Sequence, residues 1–176
     1  MSGNYYDLDD ILADGEKIPC RFNITVPGLG YLEGNPGKAI NKDSKIELPL
    51  WLAEILAVCV NLDESGSSFI DLPEPEFLGT KVKNAIKTSP TSVDLHKLLP
   101  NYYRLVEKWC TMVPEPELID IVMTMLKERS FEISNFAGNA NKQINNEFIY
   151  TLDEFEKQLF KMTSESNKHM RKWLRD

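Results

Sequence analysis

Asp94 and His96 are the pair in this sequence that most suggests acid–base chemistry, because a nearby carboxylate can orient an imidazole. The only other histidine, His169, is remote in sequence, and neither has a second His or Cys at zinc-ligand spacing. A lone histidine beside an aspartate at a helix start more commonly makes local hydrogen bonds. Asp94 and His96 are therefore expected to secure the start of a helix, and no catalytic, metal or cofactor-binding residue is assigned. Asp7, Asp9, Asp10 and Asp14 resemble a metal cluster, but the EF-hand glycine and glutamate are missing. Their place ahead of Ile11 and Leu12 reads as acids favouring a helix dipole. Gly28, Gly30 and Gly34 are spaced GxGxxxG, which is not the dinucleotide fingerprint, and no Walker lysine is present. Turn chemistry explains them. Cys20, Cys59 and Cys110 are odd in number and form no CxxC, and are expected to be free thiols buried among apolar neighbours. Ser89-Pro90 is a minimal proline-directed phosphorylation motif.

Composition narrows the classes. The 176 residues carry 20 basic and 27 acidic side chains, for a formal net charge of −7. That balance argues against holding nucleic acid on a broad basic face. A mild basic excess at the C-terminus, Lys161, Lys168, Arg171, Lys172 and Arg175 against Glu165 and Asp176, suits a helix end. No apolar run approaches the roughly 18 residues of a membrane span, and Met1 to Asp10 lacks the basic start of a secretory signal.

The elements that must position these residues fall into two regions. Six of the nine glycines lie before Lys38, and prolines 19, 27 and 36 punctuate the same stretch. Phe22, Ile24 and Val26 alternate with polar neighbours, predicting a strand in Ile18 to Val26. Leu29 to Leu32 and Lys45 to Leu48 offer two more short strands. The fold class is α+β, mainly α. A small β-rich domain with a short N-terminal helix is expected over 1–48, followed by a helical domain of about five helices over 49–176.

Helical spacing dominates after Leu48. Trp51, Leu52, Ile55, Leu56 and Cys59 trace one face of a first helix, with Pro49 in its first turn. Phe77 to Ile86 gives a second. Tyr102, Leu105, Val106, Trp109 and Val113 give a third, with Pro100 at its first position. Glu117 to about Phe131 gives a fourth, apolar nearly all round and so expected to be centrally buried. The Asn-rich run Ser134 to Glu147 reads as a loop. In the last helix, Phe148, Leu152, Phe155, Leu159 and Met162 alternate spacings of four and three, a seam that continues through Ser166 and His169 to Trp173. Thr151 and Glu154 offer a capping box. Ile149 and Phe160 widen the apolar arc beyond what one helix partner requires. It serves either this chain's own bundle or a partner as well.

Four segments together resemble a known family: YYDLDDIL with EKIPCRF, KIELPLWLAEIL, VDLHKLLPNYY and LDEFEKQLF. In this order and spacing they are similar to the Psf-three subunits of the eukaryotic GINS complex, from Tyr5 to about Trp173. The stretches Asn61 to Pro75 and Ser134 to Glu147 carry no part of the likeness. The resemblance implies a nuclear, non-enzymatic DNA replication factor without cofactors. Its expected partners are three sister GINS subunits, and through the complex the MCM motor ring, the third component of the CMG helicase, and DNA polymerase epsilon. Neither membrane contact nor strong direct DNA binding is expected. The family places a β-rich B domain ahead of a helical A domain in this subunit type, the order already read from glycine and proline placement. On this reading Leu152, Phe155, Leu159 and Phe160 face sister subunits. Leu48, Pro49, Leu50 and Trp51 form the domain joint. The alternative is a free-standing helical adaptor that uses the same seam. An enzyme dependent on Asp94 and His96 is a third reading, with no other residue in its favour.

Overall fold

A computed structural model of the chain describes residues 6–59, 68–138 and 147–175. Packing divides the chain into two units, Met1–Glu76 and Phe77–Asp176. The protein is mainly helical with one small sheet, as the residue pattern predicts.

The first unit opens with α1, Leu8–Gly15. Asp7 is its N-cap and accepts the Asp9 N–H at 3.2 Å, so the early acids serve the helix end. Strand β1, Lys17–Phe22, buries Ile18, Cys20 and Phe22 on one face. It pairs antiparallel with β2, Lys45–Pro49, in a register that sets Ile18 opposite Leu48 and Cys20 opposite Ile46. The two-residue β3, Ile70–Asp71, lies on the other side of β1, giving the order β2-β1-β3. The expected strand at Leu29 to Leu32 is instead a 3-10 turn, Gly30–Glu33. Gly28, Gly34 and Gly37 have φ of 75–83° in this region, and a loop tightened by such turns has no room for a ladder. Val26, expected at the end of the first strand, forms only an isolated bridge with Ile40.

Pro49 ends β2 and caps α2, Leu50–Val58. The expected domains, 1–48 and 49–176, place this helix with the second region, but α2 packs on α1 and all three strands, inside the first unit. Its buried residues are Leu50 and Ala53, whereas Trp51, Ile55 and Cys59 of the expected inner face are exposed. Every residue of α2 except Glu54 is apolar, so periodicity cannot choose a face. The short exit from β2 chooses it, with the Leu50 N–H donating to Glu16 O at 2.9 Å.

The second unit contains α3 (Thr80–Thr88), the single turn α4 (Leu95–Leu98), α5 (Tyr102–Met112), α6 (Pro116–Gly138), the single turn α7 (Glu147–Tyr150) and α8 (Glu154–Trp173). Tyr102, Leu105, Val106 and Trp109 form the buried face of α5, as their spacing predicts. Pro100 falls before the Asn101 cap and so outside the helix. Helix α6 is the long central element, and it runs past the expected end into the Asn-rich segment as far as Gly138. Ile133 and Ala137 continue its buried stripe, which outweighs the weak local preference of Ser134 and Asn135. The rest of the expected loop up to residue 146 lies outside the described residues. Helix α6 is also not buried all round: Ile119 and Met123 are exposed. Among the described residues no helix is long and apolar enough to cross a membrane.

Candidate interaction site

Helix α8 inverts the usual arrangement of a surface helix. At about 100° per residue, its inner face carries Glu156, Thr163 and Asn167, while Phe155, Met162 and Trp173 lie on another side and are exposed. Leu159 and Phe160 are half-buried at the two margins of the inner face. The reason is a polar cluster at the start of the helix.

Arg129 stands at a position of the α6 stripe where an apolar residue would be expected, and its side chain has no solvent exposure. Its guanidinium donates from Nε to Glu156 Oε1 at 2.7 Å and from Nη2 to Oε2 at 2.8 Å. Nη1 donates to the carbonyls of Val93 at 2.9 Å and Pro90 at 3.1 Å, and Nη2 also donates to Thr151 O at 3.3 Å. All five donors of the fork are thus engaged, which is what makes a buried guanidinium tolerable. The Phe148 ring lies 5.0 Å from the guanidinium carbon and packs on Phe136.

Glu156 is equally buried. It accepts the Tyr103 hydroxyl at 2.8 Å on Oε1, and its backbone N–H donates to Asp153 Oδ1 at 2.8 Å. Asp153 and Glu156 make the reciprocal capping box of α8. The expected box, Thr151 with Glu154, does not form. Thr151 O already receives the N–H groups of Leu95 and His96 as well as Arg129, so it cannot begin a helical ladder. Phe148, expected on the α8 seam, consequently belongs to α7.

Burial pushes the Asp153 carboxyl up to about 7. Burial is the largest cause; the Glu156 N–H opposes it, the Glu156 charge adds to the rise, and the Tyr103 N–H and the Arg129 charge lower it by less. Burial also raises the Tyr103 phenol, aided by the Glu156 carboxylate that its hydroxyl bonds. The neighbouring Tyr102 hydroxyl is buried with no hydrogen-bond partner among the described residues. At the far end of α8, Arg171 donates to Gly138 O, satisfying a carbonyl at the end of α6.

The sequence-predicted positions are dispersed by this arrangement. Leu152 is fully buried in the chain's own core, while Phe155 is exposed beside Tyr103, with ring centroids 5.8 Å apart. Leu48 and Leu50 are core residues of the first unit and Pro49 is the strand-to-helix corner. Asp94 caps α4, accepting the Lys97 N–H at 3.0 Å, and does not reach α5. The His96 N–H bonds Thr151 O, and its Nδ1 lies 3.2 Å from Lys157 Nζ. Neither the cavity beside Ile86 and Met125 nor that beside Pro19 and Arg21 is lined by Asp94 or His96. Of the cysteines, Cys20 is buried and its thiol is pushed up to about 11 by burial, whereas Cys59 is exposed and Cys110 half-exposed. Apolar sequence neighbours do not bury a residue at a helix end, as Cys59 shows. Arg129 escaped the sequence reading entirely. The available signal was a lone arginine in register with Leu118, Ile121, Val122, Met125 and Ile133.

Comparison with known proteins covers both units. Residues 6–58 match the model of the PSF3 N-terminal domain, and residues 77–175 match that of the GINS complex protein helical bundle domain. The chain is 70% identical to the DNA replication complex GINS protein PSF3 of Debaryomyces hansenii over the whole of both chains. The corresponding protein of Candida albicans is 61% identical, with 99% of each chain covered, and that of Saccharomyces cerevisiae 39% identical, with 97% of each covered.

Proposed function

Because the chain belongs to the PSF3 family of GINS complex proteins, we propose that it is a non-catalytic subunit of a heterotetrameric GINS complex acting in chromosomal DNA replication in the nucleus. Within that reading its mechanism is assembly. The tetramer serves as a scaffold of the CMG replicative helicase in initiation and elongation, beside the MCM motor ring and the third CMG component, and it links them to DNA polymerase epsilon.

The observation that carries the proposal is the outward apolar face of α8. Phe155 and Met162, with Leu159 and Phe160 at the margins, find no place in the chain's own core, because the polar cluster around Glu156 occupies the inner face. An obligate subunit interface is the natural cover for such a face. Leu152 acts differently, by seating the start of α8 from inside. The segment Leu48 to Trp51 is proposed to set how α2 leaves the sheet within the first unit.

Affinity purification of the tagged chain from its own cells, read by mass spectrometry, tests the assignment. Co-recovery of three sister GINS subunits together with MCM proteins is the expected result. Their absence, with the chain soluble and alone, overturns it in favour of an independent adaptor.

A further inference from the structure

Of the twenty residues of α8, Glu156 alone is buried. Beyond Lys157, only Leu159, Phe160, Thr163, Ser164 and Asn167 are half-buried, and the other residues are exposed. No fully buried apolar side chain locks this helix in one rotation about its own axis. Yet Phe155, Leu159, Met162 and Trp173 form an apolar seam centred about 90° round the helix from Glu156. Hydrophobic burial by itself favours a roll that turns this seam inward.

The guanidinium of Arg129 opposes that roll. It is held in place from the other side by the carbonyls of Pro90, Val93 and Thr151, so Glu156 must come to it. Both carboxylate oxygens are then engaged, at 2.7 and 2.8 Å, and Oε1 also accepts the Tyr103 hydroxyl from α5 at 2.8 Å. A quarter-turn of α8 would carry a side chain about 5 Å from the helix axis through about 7 Å, and all three bonds would break together. We propose that Arg129 and Glu156 are positioning residues for assembly. The pair selects the rotation of α8 that keeps the seam out of the chain's own core and available to a sister subunit. A buried ion pair is an inefficient source of stability but a sharp determinant of registry, because its two prongs demand one orientation. This role deepens the assembly reading of α8 and rests on it.

The test removes the pair without stranding either charge. Arg129→Met, Glu156→Leu and Tyr103→Phe are combined in one full-length chain, so that no ion or hydroxyl of the cluster loses its partner alone. Met162→Cys on the seam and Ser164→Cys, about 160° away round the helix, are introduced separately as reporters. Each is labelled with a maleimide and read by peptide mass spectrometry, which separates it from Cys59 and Cys110. In the natural background the thiol at position 162 should react faster than that at 164, as exposed Met162 and half-buried Ser164 require. In the apolar variant the order should reverse. Tetramer recovery on co-expression with the three sister subunits should fall to background, although circular dichroism and a cooperative urea transition show the chain folded. Glu156→Gln is the milder variant. It keeps the volume, but its amide nitrogen cannot accept the second prong, so the labelling difference should narrow. Unchanged labelling in either variant when folded, or full tetramer recovery by the folded apolar variant, overturns the proposal. Failure of both variants to fold also overturns it, because the pair would then hold up the whole bundle. If the natural chain itself recovers no sister subunits, the assembly reading falls, while the labelling order still decides whether the pair sets the rotation.

Discussion

Arg129 and Glu156 form a two-pronged ion pair, at 2.7 and 2.8 Å, between side chains that are both fully out of solvent. Removing either partner strands a buried charge. Arg129→Met should therefore lower unfolding stability by about 3–5 kcal/mol, measured by urea titration of the full chain. Arg129→Lys should recover little of the loss, because three ammonium donors cannot reproduce the fork that serves Glu156, Val93, Pro90 and Thr151 together.

Asp153 makes the stability of the chain depend on pH. Its carboxyl ionises near 3.8 in the unfolded chain but only at about 7 when folded. Between those values the folded state holds the extra proton, so stability falls as pH rises and the full penalty is present above about 7. Asp153→Asn keeps a good cap and removes the titration. Relative to that variant, the natural chain should lose on the order of 2–3 kcal/mol between about pH 5 and about pH 8. Parallel pH profiles for the two chains would refute the effect.

Adjacent tyrosines should respond oppositely to loss of a hydroxyl. Tyr103 donates to buried Glu156, and Tyr103→Phe should cost about 1.5–3 kcal/mol. Tyr102 buries its oxygen with no hydrogen-bond partner among the described residues, so Tyr102→Phe should leave stability unchanged or raise it by about 1 kcal/mol. Thermal melts of the two variants decide the point.

The two sides of α8 should separate folding from assembly. Leu152→Asp places a charge in the core and should yield an unfolded or insoluble chain. Met162→Asp, at an exposed site, should change unfolding stability by less than about 0.5 kcal/mol yet prevent recovery of a tetramer when the chain is co-expressed with the three sister subunits. An intact tetramer containing the Met162→Asp chain would remove that part of α8 from the interface.

Two glycines offer a contrast of the same kind. A Cβ on Gly30 would stand 2.5 Å from the carbonyl oxygens of Asn35 and Lys38, so Gly30→Ala should cost about 1–3 kcal/mol. Gly15, at the end of α1, has open space and no positive φ. Gly15→Ala should stabilise by about 0.4–1 kcal/mol, through the unfolded chain. Urea midpoints for the two variants should move in opposite directions.

Much of this architecture is legible along the chain. Glycine and proline placement separates a turn-rich region from a helical one, the β2 and α5 segments follow from spacing, and β1 occupies only the first part of the expected Ile18 to Val26 strand. The four segments that carry the family likeness are read directly from residue order. Legibility fails where local patterns are degenerate. Helix α2 is apolar on nearly every side. Both Thr151 with Glu154 and Asp153 with Glu156 satisfy the spacing of a capping box. The third strand, Ile70–Asp71, is two residues long and gives no periodic signal at all.

The sequence by itself determined the class of the protein, its family and the order of its two regions, because these depend on residue types and spacing that survive without a partner in space. Tertiary structure alone decided which side of each helix is spent internally. Thr151 O is occupied by donors from a turn more than fifty residues earlier, which delays the start of α8 to Asp153. Arg129, lying in a different helix, then requires a carboxylate on the inner side and receives it from Glu156. With that side committed to a buried ion pair, Phe155 and Met162 are left facing outward, and a seam that reads as core along the chain becomes a surface available to a partner.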